Sequence, residues 1–237
     1  MGKIAKMPPH LANMIAAGEV VEKPSSVVKE LVENAIDAKA RNISIFLTEG
    51  GLEEIRIVDD GEGMDKEDVR LAFLPHATSK IKNEYDLFRI LSLGFRGEAI
   101  ASIAAVSNMQ IISSQAGIQG YQVTYEAGNK KEEGITSANK GTTVIVKNLF
   151  FNTPARLKFL KSAKNELASI TFLLDRMALA HPDIRFTLIN DNRTYLATSA
   201  SNKSVHLMGE IYGLEIAKKL LEKSFVIDGV SAKMVLV

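Results

Sequence analysis

Hydrophobic positions along the chain recur at two periods, one helical and one extended. Between Pro24 and about Lys39 they fall at helical spacing, with Val27, Val28, Leu31, Val32, Ala35 and Ile36 on one arc. Pro24 and Ser25 open this predicted helix, with Ser25 suited to its N-cap. Leu11–Ala17, just before it, reads as a short helix stopped by Gly18. Two strands are predicted next, Ile43–Leu47 and Glu54–Asp59. In the second, Ile55 and Ile57 alternate with Arg56 and Val58, so one of its faces is the more firmly buried. Gly61 and Gly63 mark a turn, Lys66–Leu74 a helix, and residues 75–97 a connection of a length that is uncommon in compact domains and often functional.

The second half predicts a small apolar helix over Glu98–Val106 and strands over Met109–Ser113, Tyr121–Tyr125 and Thr142–Val146. The polar stretch Glu126–Lys140 is expected as an exposed hairpin loop. Thr153-Pro154 opens a helix expected to run until just before His181-Pro182. Ile184–Ile189 and Thr194–Thr198 read as a hairpin, and Ser199–Ser204 as a linker. A helix over Leu214–Leu221 and a strand near Val237 follow. The expected division is residues 1–200 as one domain and 201–237 as the beginning of a second.

With 237 residues, 46% hydrophobic and 24% charged, the chain has the balance of a globular protein. A net charge of +1 leaves any nucleic-acid contact to a local patch. The absence of Cys excludes a disulfide framework, a thiolate metal site and a thiol nucleophile. No run approaches the roughly 18 apolar residues of a membrane span, and polar residues interrupt the stretch after Lys3 and Lys6 before it resembles a signal peptide. A cytoplasmic location with no membrane partner is the expectation.

Glu30, Asn34 and Asp37 lie together opposite the apolar arc of the Pro24 helix. Such a face suits plain solvation. It also suits a magnesium site, in which few protein oxygens bind and phosphates and water complete the octahedron. Asp59-Asp60-Gly61-Glu62-Gly63 closes a buried strand, either as an ordinary turn or as a carboxylate placed to accept from a nucleobase beside glycines that allow close approach. Gly94-Phe95-Arg96-Gly97-Glu98 precedes a helix whose first amides form an anion site, with Lys80 as a second positive group. No P-loop, dinucleotide fingerprint, H-E-x-x-H spacing or nucleophile elbow is present. Lys147, Arg156, Lys158, Lys161 and Lys164 form a basic run without an acid, three of them expected on one helix, as a solvated face or a phosphate-contacting patch.

In this order the elements resemble the GHKL ATPases, the superfamily of type II topoisomerase ATPase subunits, histidine kinases, one chaperone class and the MutL mismatch repair family. Resemblance to the MutL family rests on Ile15–Val21, Lys29–Ala38, His76–Ile81, Gly94–Ala99 and Phe151–Arg156, spread over about residues 5–160. It implies an α+β fold: a two-layer sandwich with a mixed sheet and helices on one face, then the start of a transducer domain of the ribosomal protein S5 domain 2-like type. ATP and magnesium are the implied ligands. Glu30 matches the general base, and Asn34 the magnesium ligand. Asp59 matches the adenine-reading carboxylate, with Thr142 beside it. Asp37, Ala38, Gly61, Gly63 and Met64 match the surrounding nucleotide segments. Thr78, Ser79, Lys80 and Gly94, Phe95, Arg96, Gly97, Glu98, Ala99 and Ile100 match the lid and phosphate segments.

The resemblance further implies slow ATP hydrolysis, an ATP-dependent homodimer, and the mismatch recognition protein MutS and downstream repair factors as partners. The basic run, read by itself, gives weak, non-specific DNA contact through Lys158, Lys161 and Lys164 as a further expectation. One departure is Asp60, where the family often has Asn. The family's transducer lysine and its C-terminal dimerisation and nuclease region are expected beyond this sequence. Two rival readings are a histidine kinase ATP domain, which needs a phospho-acceptor helix upstream, and a DNA-binding module without catalysis.

Overall fold

The computed structural model describes residues 17–18, 20–78, 97–201, 204–219, 221–227 and 230–236. Eight strands form one mixed sheet: β1 (Asn42–Thr48), β2 (Glu54–Asp59), β3 (Asn108–Ser114), β4 (Gln119–Glu126), β5 (Asn129–Ser137), β6 (Gly141–Lys147), β7 (Arg185–Asn190) and β8 (Arg193–Ala197). Their order is β5-β4-β3-β6-β2-β1-β7-β8, with β1 and β7 parallel and the other pairs antiparallel. Two further strands, β9 (Leu221–Ile227) and β10 (Val230–Leu236), pair with each other in a separate sheet.

Alternation builds the core. Ile43, Ile45 and Leu47 of β1, Ile55 and Ile57 of β2, Met109 and Ile111 of β3, and Val144 and Val146 of β6 are buried, while their neighbours along each strand are half-exposed or exposed. Helices cover that face. In α1 (Pro24–Asp37) the residues Val27, Val28, Leu31, Val32 and Ala35 are buried, as the apolar arc predicts. Three short helices lie between: α2 (Lys66–Leu71), capped by the Asp65 carboxylate on the Asp68 amide, α3 (Ala99–Ala105) and α4 (Pro154–Leu157). The long α5 (Ala163–Ala180) buries Leu167, Ile170, Leu174 and Ala178. Beyond the sheet lie α6 (Ser204–Tyr212) and α7 (Leu214–Ala217).

The direction of α1 matters for the site. Pro24 packs at the β1–β2 turn, where a Cβ on Gly51 would stand 3.4 Å from the proline Cβ. At the other end the Ala38 carbonyl accepts the Glu62 amide at 2.8 Å. The helix therefore runs alongside β2 towards Asp59, and its last turns overlie that end of the sheet.

Several expectations need correction. Ser25 is not the cap of α1: Lys23 holds that position, and Ser25 is buried within the helix. Ala17, Gly18 and Val20 are all helical, so Gly18 does not stop the first turn; residues 11–16 of that expected helix lie outside the described residues. Glu126–Lys140 is not a loop but contains β5. As an edge strand with no buried position it shows no alternation, and its charges blunt the open edge. Arg70 of α2 secures it, bonding Glu133 at 2.9 and 3.0 Å and the Tyr121 hydroxyl at 3.0 Å; that guanidinium holds the Glu133 carboxyl down at about 2. The expected helix over Leu214–Leu221 ends at Ala217, Leu221 opens β9, and α6 was not expected.

The helix expected from Thr153 to His181 is two helices. Ser162 adopts extended backbone and breaks it, and the Glu166 carboxylate reaches back to the Lys161 amide at 3.0 Å. Lys158 and Lys161 thus lie between the helices and only Lys164 lies in α5. Glu166 is only 2% exposed. Glu166→Ala is therefore expected to lower stability by about 1–2 kcal/mol, as loss of a helix-terminal acceptor does. Glu166→Gln, which keeps an acceptor for that amide, should lose less. Urea unfolding of the two variants beside the parent checks both.

Candidate active site

Three rows of register partners cross the middle of the sheet. Ile55 pairs with Val146 and Val146 with Met109; one pleat on, Ile57 pairs with Val144 and Val144 with Ile111. In the next pleat the same face turns polar, as Asp59 pairs with Thr142 and Thr142 with Ser113. A hydrophobic floor thus ends in a carboxylate and two hydroxyls beneath the end of α1.

Asp59 is 9% exposed. Burial pushes its carboxyl above the ordinary range and the neighbouring Asp60 charge adds to that, while the Gly61 and Thr142 amides pull it back. The Gly61 amide donates to Asp59 Oδ1 at 2.9 Å. A Cβ on Gly61 would lie 2.7 Å from the Ala38 carbonyl, so the turn and the end of α1 touch backbone to backbone. Gly63 has φ +69°, and a Cβ there would meet the Ser114 carbonyl at 2.2 Å. Only glycine fits both demands. Met64 is partly buried against the core, and its amide donates to Ser113 Oγ at 2.8 Å.

Asp60 has the opposite fate. Partial burial works against its charge, but the Asn42 side chain and the Asn42 and Arg41 amides outweigh that and hold its carboxyl below the ordinary range. Those bonds measure 2.6, 2.8 and 2.7 Å. Asp60 therefore fastens the α1–β1 connection to the end of β2. It does not displace Asp59.

On α1, Glu30, Asn34, Asp37 and Ala38 are all part-exposed, along the flank that leads to Asp59. Lys29, to which the sequence reading gave no role, spans Glu30 at 3.2 Å and Glu33 at 2.9 Å. Partial burial opposes the ammonium, yet the two glutamates outweigh it and raise the Lys29 pKa. The sign of this in the sequence is a Lys four residues before an acid, Lys29 before Glu33, which places both on one face of the helix. Ser113 was also passed over, because a serine ending a strand looks ordinary until its register is known.

The ends of the long connection meet. A Cβ on Gly97 would stand 2.7 Å from the Ala77 carbonyl and 3.1 Å from Thr78 Cβ. His76 Nδ1 lies 3.0 Å from Glu98 Oε1, and Glu98 stands at the N-cap of α3, followed by Ala99 and a partly buried Ile100. Thr78, Gly97 and Glu98 are thus brought together, while Ser79, Lys80, Gly94, Phe95 and Arg96 lie outside the described residues. Lys158, Lys161 and Lys164 are exposed and stand apart from Asp59. The Ala163 carbonyl faces Gly50 at the β1–β2 turn, the opposite end of β2. Five steps of strand separate those ends by about 17 Å.

A mixed sheet with a buried carboxylate, a glycine turn and a helix overlying them accords with one family of ATPases. Residues 22–148 match the family model described as histidine kinase-, DNA gyrase B-, and HSP90-like ATPase, and the chain belongs to that family. Within it the similarity is to mismatch repair proteins. The chain is 49% identical to DNA mismatch repair protein MutL of Halalkalibacterium halodurans, over 98% of the chain and 37% of that protein. It is 52% identical to MutL of Exiguobacterium sp., over 94% of the chain and 37% of that protein. The chain thus spans a little over a third of the relatives it matches. Among solved structures, the N-terminal domain of a DNA repair protein superposes with a TM-score of 0.78 at 30% identity, over 92% of this chain and 65% of that one. The Aquifex aeolicus MutL ATPase domain complexed with ADP gives 0.72 at 29% identity, over 92% and 78%.

The folded state holds the Asp59 proton more tightly than the unfolded chain does. Its ionised form therefore lowers stability, an effect absent below the unfolded pKa of about 3.9 and complete above the raised folded value. Asp59→Asn is accordingly expected to raise the melting temperature of the nucleotide-free protein at pH 8. The gain should shrink to nothing as pH falls below about 4. Thermal melts of both chains across that range check the direction.

Proposed function

We propose that this chain is the ATPase part of a DNA mismatch repair protein: it binds ATP with magnesium beneath α1, hydrolyses it slowly, and acts as a switch. The observation that carries the reading is the buried Asp59 carboxylate ending an apolar floor, beside a glycine turn that keeps side chains away. A buried charge in that position suits an exocyclic amine of adenine as its partner. The relative solved with ADP supports the same ligand class.

Residue roles follow from position. Asp59 and Thr142 read the base, while Gly61, Gly63 and Met64 shape the turn around it. Asn34 offers an amide oxygen for magnesium, with Asp37 and Ala38 one turn on. Magnesium, when bound with the phosphates, offsets the negative charge of the transferred phosphoryl group. Glu30 accepts a proton from the attacking water as its oxygen bonds to the γ-phosphorus and the bond to ADP breaks. Thr78, Ser79, Lys80 and the run from Gly94 to Ile100 close over the phosphates as a lid, a motion supported by the close approach of the stem ends at Ala77 and Gly97. We assign residues 1–200 to this domain and 201–237 to the start of an S5-like transducer domain, because β9 and β10 pair only with each other among the described residues. ATP-dependent homodimerisation, MutS and later repair factors as partners, and a cytoplasmic location belong to the same proposal. No nuclease step is assigned to these residues. The fold contains no described helix long and apolar enough to cross a membrane.

Glu30→Ala should leave ATP binding largely intact and lower turnover by roughly 10²–10⁴, the usual contribution of a positioned base. Calorimetric titration with ATP and a phosphate-release assay separate the two effects. Turnover at the parental rate would transfer the role to Glu33, which shares Lys29 with Glu30.

DNA contact is proposed at Lys158, Lys161 and Lys164, supported by their exposure and by Phe159 beside them, 86% exposed. Lys147 contributes less, since Glu54 pairs with it at 3.1 Å. Phosphate contacts give binding without sequence preference and with steep salt dependence. Replacing the three lysines with Glu should abolish binding to duplex DNA at about 50 mM salt and spare basal ATP hydrolysis. Parental affinity in that variant, measured by fluorescence anisotropy, would make the run a solvated surface.

A further inference from the structure

Ser113 is 1% exposed, and its hydroxyl has three polar neighbours. The Met64 amide lies at 2.8 Å, the Gly141 carbonyl at 3.0 Å, and Thr142 Oγ1 at 2.9 Å. A serine hydroxyl has one proton and two lone pairs. The Met64 N–H can only donate, so it takes one lone pair. The Gly141 carbonyl can only accept, so it takes the proton. One lone pair remains for Thr142, and the assignment that satisfies all three contacts has Thr142 donating to Ser113.

That assignment fixes what Thr142 shows to its other side. With its proton committed to Ser113, the threonine hydroxyl offers only lone pairs. Thr142 is the register partner of Asp59 on β2 and of Ser113 on β3, so the three stand in one row across the sheet. Two groups that face a base there, the Asp59 carboxylate and the Thr142 hydroxyl, are then both acceptors. An exocyclic amine carries two N–H donors and matches them. A ring carbonyl in the same place brings lone pairs against lone pairs.

We propose that Ser113 is a positioning residue that sets nucleobase specificity: by holding the proton of Thr142 it keeps the base site all-acceptor and selects an amino-purine over an oxo-purine. This rests on the ATP-binding reading above. Ser113 touches no ligand in this scheme, and it acts through Thr142 and through the Met64 end of the glycine turn.

The readout is the ratio of GDP to ADP dissociation constants, measured by calorimetry on this chain. A merely structural loosening weakens both nucleotides and leaves the ratio unchanged. Ser113→Ala frees the Thr142 proton to point at the base, and the ratio is expected to fall roughly 3- to 10-fold, the worth of one net hydrogen bond. Ser113→Thr keeps a hydroxyl on a strand that accepts β-branched residues and should keep the parental ratio. Ser113→Cys keeps the volume with only a weak donor and acceptor, so it should follow the alanine variant even if that one folds poorly. Adding Ser113→Ala to Thr142→Val should change the ratio no further, since the two act as one unit. An unchanged ratio in folded Ser113→Ala and Ser113→Cys, with ADP still bound, overturns the role of Ser113 and leaves the ATP-binding reading standing. A parent chain that binds no adenine nucleotide overturns that reading and this inference with it.

Discussion

A carboxylate buried at the end of a hydrophobic sheet is the constraint around which the rest of this structure is arranged. Taking a charge out of water is unfavourable unless hydrogen bonds replace the lost solvent. Asp59 keeps two backbone amides, from Gly61 and Thr142, and its carboxyl still titrates above the ordinary range. A core built for stability alone would continue the Ile55–Ile57 row with another aliphatic side chain. The polar row at Asp59, Thr142 and Ser113 departs from that rule, and departures of this kind concentrate where a protein meets its ligand. Much of the surrounding geometry follows from it. The glycine turn supplies an amide without a competing side chain, and the Ala38 carbonyl closes on that turn from α1.

Asp59 and Asp60 show how strand alternation assigns opposite tasks to identical neighbours. The pleat sends Asp59 into the floor, where burial raises its pKa, and Asp60 to the amides of Arg41 and Asn42, where hydrogen bonding lowers it. The first is left reaching for a donor. The second has found its donors within the protein and serves as a clasp. Because that clasp joins the end of β2 to the chain that leaves α1, the distance from Asn34 to Asp59 is set by backbone contacts at close range. On the proposed reading, with a base at Asp59 and phosphates near Asn34, that distance is fixed before the ligand arrives.

What could be read from the sequence divides along a physical line. Where burial imposes a period, as in α1 and β2, the elements and their inward faces were plain. Where burial imposes none, the reading failed. β5 is charged at four consecutive positions, Lys130 to Glu133, and is held by its ladder with β4 and by Arg70, neither of which leaves a local pattern. The break at Ser162 depends on Glu166 turning back to an amide five residues earlier, and helix propensity alone runs through it. Among site residues, Asp59, Gly61 and Gly63 were visible because turn chemistry is local. Ser113 and Lys29 were not, because their meaning comes from register with a distant strand and from a side-chain bridge.

The position of the lysines at 158–164 completes this picture. Both long helices reach the β1–β2 turn by their first turns: Pro24 of α1 packs near Gly51, and Ala163 of α5 lies on Gly50. From there α1 runs to Asp59, while the segment before α5 faces solvent with its basic side chains. Between the two ends lie the sheet and both helices, with Ile170 and Leu174 of α5 and Leu31 and Val32 of α1 fully or nearly fully buried. Close-packed interiors of this kind transmit strain and shift between discrete arrangements; they do not deform by degrees. On the proposed reading, a nucleotide beneath α1 would act on the lysines by switching that core between arrangements, or from outside it through a second copy brought alongside.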